Sequence, residues 1–200
     1  MKKLLLLTVI LLSMNSMAQK KAKVHSINGV EVYILAEPVR EYETVNTAKN
    51  GVKILSGFTG GLINESISTK VSKFIKRLLE DAHESGVEFD AIMYTSGKTM
   101  TAIKFTDVST PETKGIATIH RVDGVPFYVM SEPLNTDYRV ADKLGKGIKW
   151  KSLVTGGLLN NSIEEDLLKF AKQVDGKYKR GKIDAVVYSN GKKAIAIKFE

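Results

Sequence analysis

The chain contains no cysteine, and that absence removes several explanations at once. Disulfide staples, thiolate metal sites, thiol nucleophiles and a lipid-carrying cysteine are all excluded. Only 4 prolines, one tryptophan and 3 histidines occur in 200 residues. Neither phosphate-loop glycine fingerprint is present, nor is the Gly-x-Ser-x-Gly elbow of the serine hydrolases. Beyond the first dozen residues no apolar run approaches the roughly 20 residues that a helix needs to cross a bilayer. Burial of apolar side chains must therefore hold the fold together. A hydrophobic content of 43% with 26% charged residues is ordinary for a packed globular protein.

The N-terminus carries the first positive signal. Lys2 and Lys3 precede the apolar run Leu4 to Leu12, and Ser16-Met17-Ala18 ends it with small residues. This three-part plan predicts a secretory signal peptide over residues 1–18, cleaved near Ala18. The expectation is a periplasmic or secreted protein that does not span the membrane. Formal charge is +8 for the whole chain and +6 once Lys2 and Lys3 are gone. For an exported chain the expected partners are a protein or an anionic envelope component, with no nucleic acid and no cofactor.

The second signal is an internal repeat. His25-Ser26-Ile27-Asn28-Gly29-Val30 returns as His120-Arg121-Val122-Asp123-Gly124-Val125, and Glu37-Pro38 returns as Glu132-Pro133. Thr59-Gly60-Gly61-Leu62 returns as Thr155-Gly156-Gly157-Leu158, and Ala102-Ile103-Lys104-Phe105 as Ala196-Ile197-Lys198-Phe199. More than two dozen of about 80 aligned positions are identical. The organisation expected is a module over residues 19–105, a linker over 106–118 and a second module over 119–200.

Each module reads as α+β, in the order β-β-β-α-β-β, with one helix laid on an antiparallel sheet. Asn28-Gly29 and Asp123-Gly124 suit two-residue hairpin turns. Val71, Phe74, Ile75, Leu78 and Ala82 recur at helical spacing, as do Leu167, Phe170, Ala171 and Val174. Gly86 and Gly176 stand where those helices are expected to stop.

Candidate binding residues follow from charge. Residues 24–105 hold 9 basic and 10 acidic side chains, whereas residues 119–200 hold 15 and 10. The excess gathers at Lys143, Lys146, Lys149, Trp150 and Lys151, and again at Lys177, Lys179, Arg180 and Lys182. Such a face would suit an anionic partner. Gly60-Gly61 and Gly156-Gly157, ahead of predicted helices, could present backbone N–H groups to a phosphate or carboxylate. His25 and His120, at equivalent positions, are the alternative site for a metal or small ligand, although no cluster of carboxylates supports them. No activated nucleophile accompanies any of these groups, which points to a non-enzymatic binding or assembly module.

Gly86-Val87-Glu88-Phe89-Asp90-Ala91-Ile92-Met93 and Gly181-Lys182-Ile183-Asp184-Ala185-Val186-Val187 resemble a segment of the YbjQ-like family. That segment reads Gly-Ala-Asp-Ala-Val-Val in the family, which carries a heavy-metal-binding label and is related in fold to RcsF-like lipoproteins. The resemblance implies a small α+β module that tends to self-associate, with homo-oligomers expected. The family's metal label does not carry over, because the metal ligands are missing here.

Overall fold

A computed structural model describes residues 21–45, 67–95, 100–108, 110–144, 163–188 and 194–200. Among them the chain is mixed α+β and mostly sheet, with fourteen strands and two helices. The N-terminal half contributes β1 (Lys21–Val24), β2 (Ser26–Ile27), β3 (Val30–Ile34), β4 (Ala36–Pro38) and β5 (Tyr42–Thr44). Helix α1 (Ile67–Ser85), β6 (Ala91–Tyr94) and β7 (Thr101–Phe105) complete it. The C-terminal half runs through β8 (Ile116–Ile119), β9 (Arg121–Val122), β10 (Val125–Val129), β11 (Ser131–Pro133) and β12 (Tyr138–Leu144). It ends with α2 (Ile163–Lys179), β13 (Ala185–Tyr188) and β14 (Ala194–Phe199).

Local chemistry explains where these elements begin and end. Asn28 and Gly29 have φ of 52° and 83°, and Asp123 and Gly124 have 52° and 79°. Two successive positive φ angles match the right-handed twist of a tight hairpin, and Asn-Gly and Asp-Gly tolerate them best. Leu35 and Met130 also take φ of 50°. That kink separates β3 from β4 and β10 from β11. The chain thereby leaves one sheet and enters another, so each half places five strands ahead of its helix instead of three.

The larger sheet has the order β12-β14-β13-β10-β3-β6-β7-β5, with β2 and β9 attached to β3 and β10. The expected antiparallel sheets are corrected here, because β3 pairs β6 in parallel and β10 pairs β13 in parallel. A helix intervenes between the members of each pair, and such a crossover returns the chain in its original direction. Nor are there two sheets side by side. β3 and β10 pair antiparallel at Ile34 and Val129, joining both halves into one ten-stranded sheet.

A second sheet, ordered β11-β1-β8-β4, interleaves the halves again. Ala22 faces Ala117 in the β1–β8 pair. β8 starts inside the segment expected to be a linker. Ile116, Ala117 and Ile119 are buried while Thr118 is exposed, which makes that stretch a packed strand.

Alternation along the central strands sorts the core into two layers. Val30, Val32 and Ile34, with Val125, Phe127 and Val129, pack against the stripes of both helices. Tyr33 and Tyr128 point the other way and pack against the four-stranded sheet with Ala36 or Ala22. The order is therefore helices, large sheet, small sheet. Gly86 ends α1 with φ of 66°, as expected. Gly176 does not end α2. The helix runs on to Lys179 because Tyr178 extends its apolar stripe, and Gly181 supplies the left-handed stop with φ of 65°.

Candidate functional site

The last turn of α2 and the edge strand β12 form one basic surface. Lys177 reaches across to Asp142 of β12, which ties helix and edge together. The hydrogen bond from Lys177 and its charge hold the Asp142 carboxyl below the usual range. Lys179 pairs with Asp175 one turn earlier at 2.8 Å, and the hydrogen bond and charge of Asp175 raise its ammonium. Two of the expected cationic groups are therefore partly neutralised within the fold. Arg180 and Lys182 follow at the helix stop, both exposed, and Arg139 and Lys143 are exposed on β12.

Lys146, Lys149, Trp150 and Lys151 lie outside the described residues, as do Gly60, Gly61, Gly156 and Gly157.

His25 and His120 are not brought together, which corrects their reading as a shared site. They follow β1 and β8, which run antiparallel about the Ala22–Ala117 pair. His25 stands just past the C-terminal end of β1 and His120 just past that of β8, and in an antiparallel pair those two ends point away from each other. Their backbones act at opposite ends. The His25 N–H donates to the Met130 carbonyl and the His120 N–H to the Leu35 carbonyl. The His120 ring lies 3.5 Å from a Glu37 carboxylate oxygen on the neighbouring β4. Among the described residues no group of three or more histidines and carboxylates is placed to hold a metal ion.

A buried charged cluster in the N-terminal half went unread in the sequence. Glu31 and Arg40 are both under a tenth exposed. The Tyr33 hydroxyl donates to Glu31 Oε2 at 2.5 Å. Arg40 lies over the Phe105 ring at 3.8 Å, and donates from Nε to Asp107 Oδ1 at 2.9 Å and from its Nη2 to the Asp107 carbonyl at 3.1 Å. Burial, reinforced by the Glu31 hydrogen bond and charge, pushes the Tyr33 hydroxyl far up despite Arg40 nearby. Tyr33 is thus a permanent donor at neutral pH. Arg40 spends its charge on Asp107, which ties the segment after β4 to the residues that follow β7. A signal was present: Glu31 is the single carboxylate in Val30-Glu31-Val32-Tyr33-Ile34, and its counterpart is Pro126.

Carboxylates close a hairpin in each half. Asp90 Oδ2 accepts the Phe105 N–H at 2.8 Å, and Asp184 Oδ2 accepts the Phe199 N–H at 2.9 Å. These aspartates are the ones in the resemblance segments, and their work here is structural.

No known protein family, curated protein or solved structure matches this chain. No helix among the described residues is long and apolar enough to cross a membrane.

Proposed function

We propose that this chain is an exported, non-enzymatic binding or assembly module, built by tandem duplication, that recognises an anionic envelope component through its C-terminal half. Duplication is supported by matched backbone detail, since Asn28 and Asp123 share φ of 52° and Leu35 and Met130 share 50°. Export rests on the signal-like residues 1–18.

One observation carries the binding reading. The two helices bury the same stripe, yet the end of α1 carries Glu80, Asp81 and Glu84 beside His83, whereas α2 ends in Lys177 and Lys179, with Arg180 and Lys182 just beyond it. Packing sets the buried positions alike, so selection on a partner is a natural source of the surface difference. Arg180 and Lys182 are the exposed cations of that surface offered to the partner. The aspartate-paired Lys177 and Lys179 contribute less, because part of their charge is already answered.

Vesicles of phosphatidylcholine with and without phosphatidylglycerol test the reading. The mature chain should bind the anionic vesicles only, and less as salt rises. Arg180→Glu with Lys182→Glu should abolish the binding, each reversal costing roughly 1 kcal/mol or more. Equal binding to both vesicle types, or binding indifferent to these reversals, sinks the proposal.

A further inference from the structure

A small charged cluster recurs at matching places in the two halves, and its sign is opposite in each. Strand register fixes the match. Tyr42 and Glu43 face Phe105 and Lys104 in the β5–β7 pair, as Tyr138 and Arg139 face Phe199 and Lys198 in the β12–β14 pair. Glu88 and Lys182 each stand two residues before the aspartate, Asp90 or Asp184, that accepts the amide of Phe105 or Phe199. The N-terminal half thus sets Glu43, Glu88 and Asp90 about Lys104, whereas the C-terminal half sets Arg139, Lys182 and Lys198 about Asp184. The shared lysines turn to different partners. Lys104 Nζ donates to Glu88 Oε2 at 2.8 Å, and Lys198 Nζ, with Lys182 in place of that glutamate, donates to Asp184 Oδ1 at 2.8 Å. The hydrogen bond to Glu88, then the charges of Glu88, Asp90 and Glu43, hold the Lys104 ammonium above its usual range. Glu43, Glu88, Arg139 and Lys182 are all exposed, so packing does not set their charge.

We infer that the acidic cluster of one copy receives the basic cluster of a second copy, giving head-to-tail association. The strands beneath the two clusters share a register, so their charges sit at matching spacing. Three carboxylates and one ammonium then meet three cations and one carboxylate. Either cluster laid on its own kind would set like charges against each other, which costs free energy. Only the unlike pairing is attractive. The two clusters lie towards opposite edges of the ten-stranded sheet, at β5 and at β12. A contact that uses one of each leaves an acidic and a basic cluster free at the two ends, so further copies can add.

The inference rests on the reading of the α2–β12 surface as a recognition surface, and adds the acidic cluster as this chain's own match for it. Sedimentation velocity of the mature chain should show a weight-average mass that rises with concentration at low salt and falls to that of the monomer at high salt. Glu43→Arg with Glu88→Lys gives the acidic cluster the charges of the basic one, and should weaken self-association at least about tenfold. Arg139→Glu with Lys182→Glu should do the same. Mixed in equal amounts, the two variants should pair with each other, because one carries only basic clusters and the other only acidic ones. The inference is overturned if the native mass does not depend on concentration, if either variant associates as the native chain does, or if the mixture is no heavier than its parts. The Glu43→Arg, Glu88→Lys variant keeps the whole basic surface, so its binding to anionic vesicles reports the proposed envelope partner separately.

Discussion

Ala22 lies directly opposite Ala117 in the β1–β8 pair, and each occupies the other's place in its own half. Ile34 and Val129 stand in the same relation in the β3–β10 pair. Two self-facing pairs in two stacked sheets define a pseudo-twofold arrangement of the halves. Each half is therefore incomplete. β1 is flanked by β11 and β8 of the C-terminal half, and β8 by β1 and β4 of the N-terminal half.

It follows that neither half folds alone. Residues 19–108 and 110–200, produced separately, should each lack a cooperative urea transition by circular dichroism, and mixing them should restore one. Cleavage near the exposed Val108 should leave the two pieces associated. A cooperative transition in either isolated half refutes the interleaved arrangement.

Alanine at the dyad is a packing requirement. Ala22 is fully buried with Tyr128 and Ile197 between the sheets. Ala22→Leu should cost about 1–3 kcal/mol by overpacking. Chemical denaturation measures the loss, and a stability unchanged by the leucine would mean that the two sheets do not meet there.

Tyr33→Phe removes the hydroxyl that serves Glu31 and leaves a buried carboxylate without that donor. The expected loss is about 1–3 kcal/mol. A stability unchanged in Tyr33→Phe would show that the Glu31 bond contributes little.

Alkaline pH should destabilise the fold. Burial raises the hydroxyls of both Tyr33 and Tyr128 above their ordinary value of 10.0. The unfolded chain then releases these protons first, so the contribution is complete below about pH 10 and is lost as pH rises. Each tyrosine should remove about 1.4 kcal/mol per pH unit above that point. Urea midpoints at pH 9, 10 and 11 report the slope, which should shrink in Tyr33→Phe. A midpoint flat from pH 9 to 11 contradicts the burial of these hydroxyls.

Ser131 is fully buried, and its Oγ has no hydrogen-bond partner among the described residues. Its counterpart in the N-terminal half is Ala36. Ser131→Ala should therefore be neutral or stabilise by up to about 1 kcal/mol. Destabilisation beyond that range would reveal a partner for the hydroxyl.

Much of the local structure was legible because it depends on neighbours in the chain. The Asn28-Gly29 and Asp123-Gly124 turns need only a backbone that accepts positive φ. The α1 stripe needs only its period, and Gly86 only its lack of a Cβ. Gly176 misled because a glycine inside a helix costs only about 1 kcal/mol, which the packing of Tyr178 offsets. The basic excess near α2 was visible as composition. Its partial neutralisation by Asp142 and Asp175 was not, since Asp142 comes from a strand 35 residues away.

By itself the sequence determined the mixed α+β class, the turns and the helical stripes, all of which follow from short-range sterics and periodicity. The tertiary structure alone decided that the halves share one large sheet and exchange strands in a second. Strand pairing is a choice among hydrogen-bonding edges that many segments offer equally. Only the joint burial of Ala22 against Ala117, and of Ile34 against Val129, selects the pairing that leaves neither half complete.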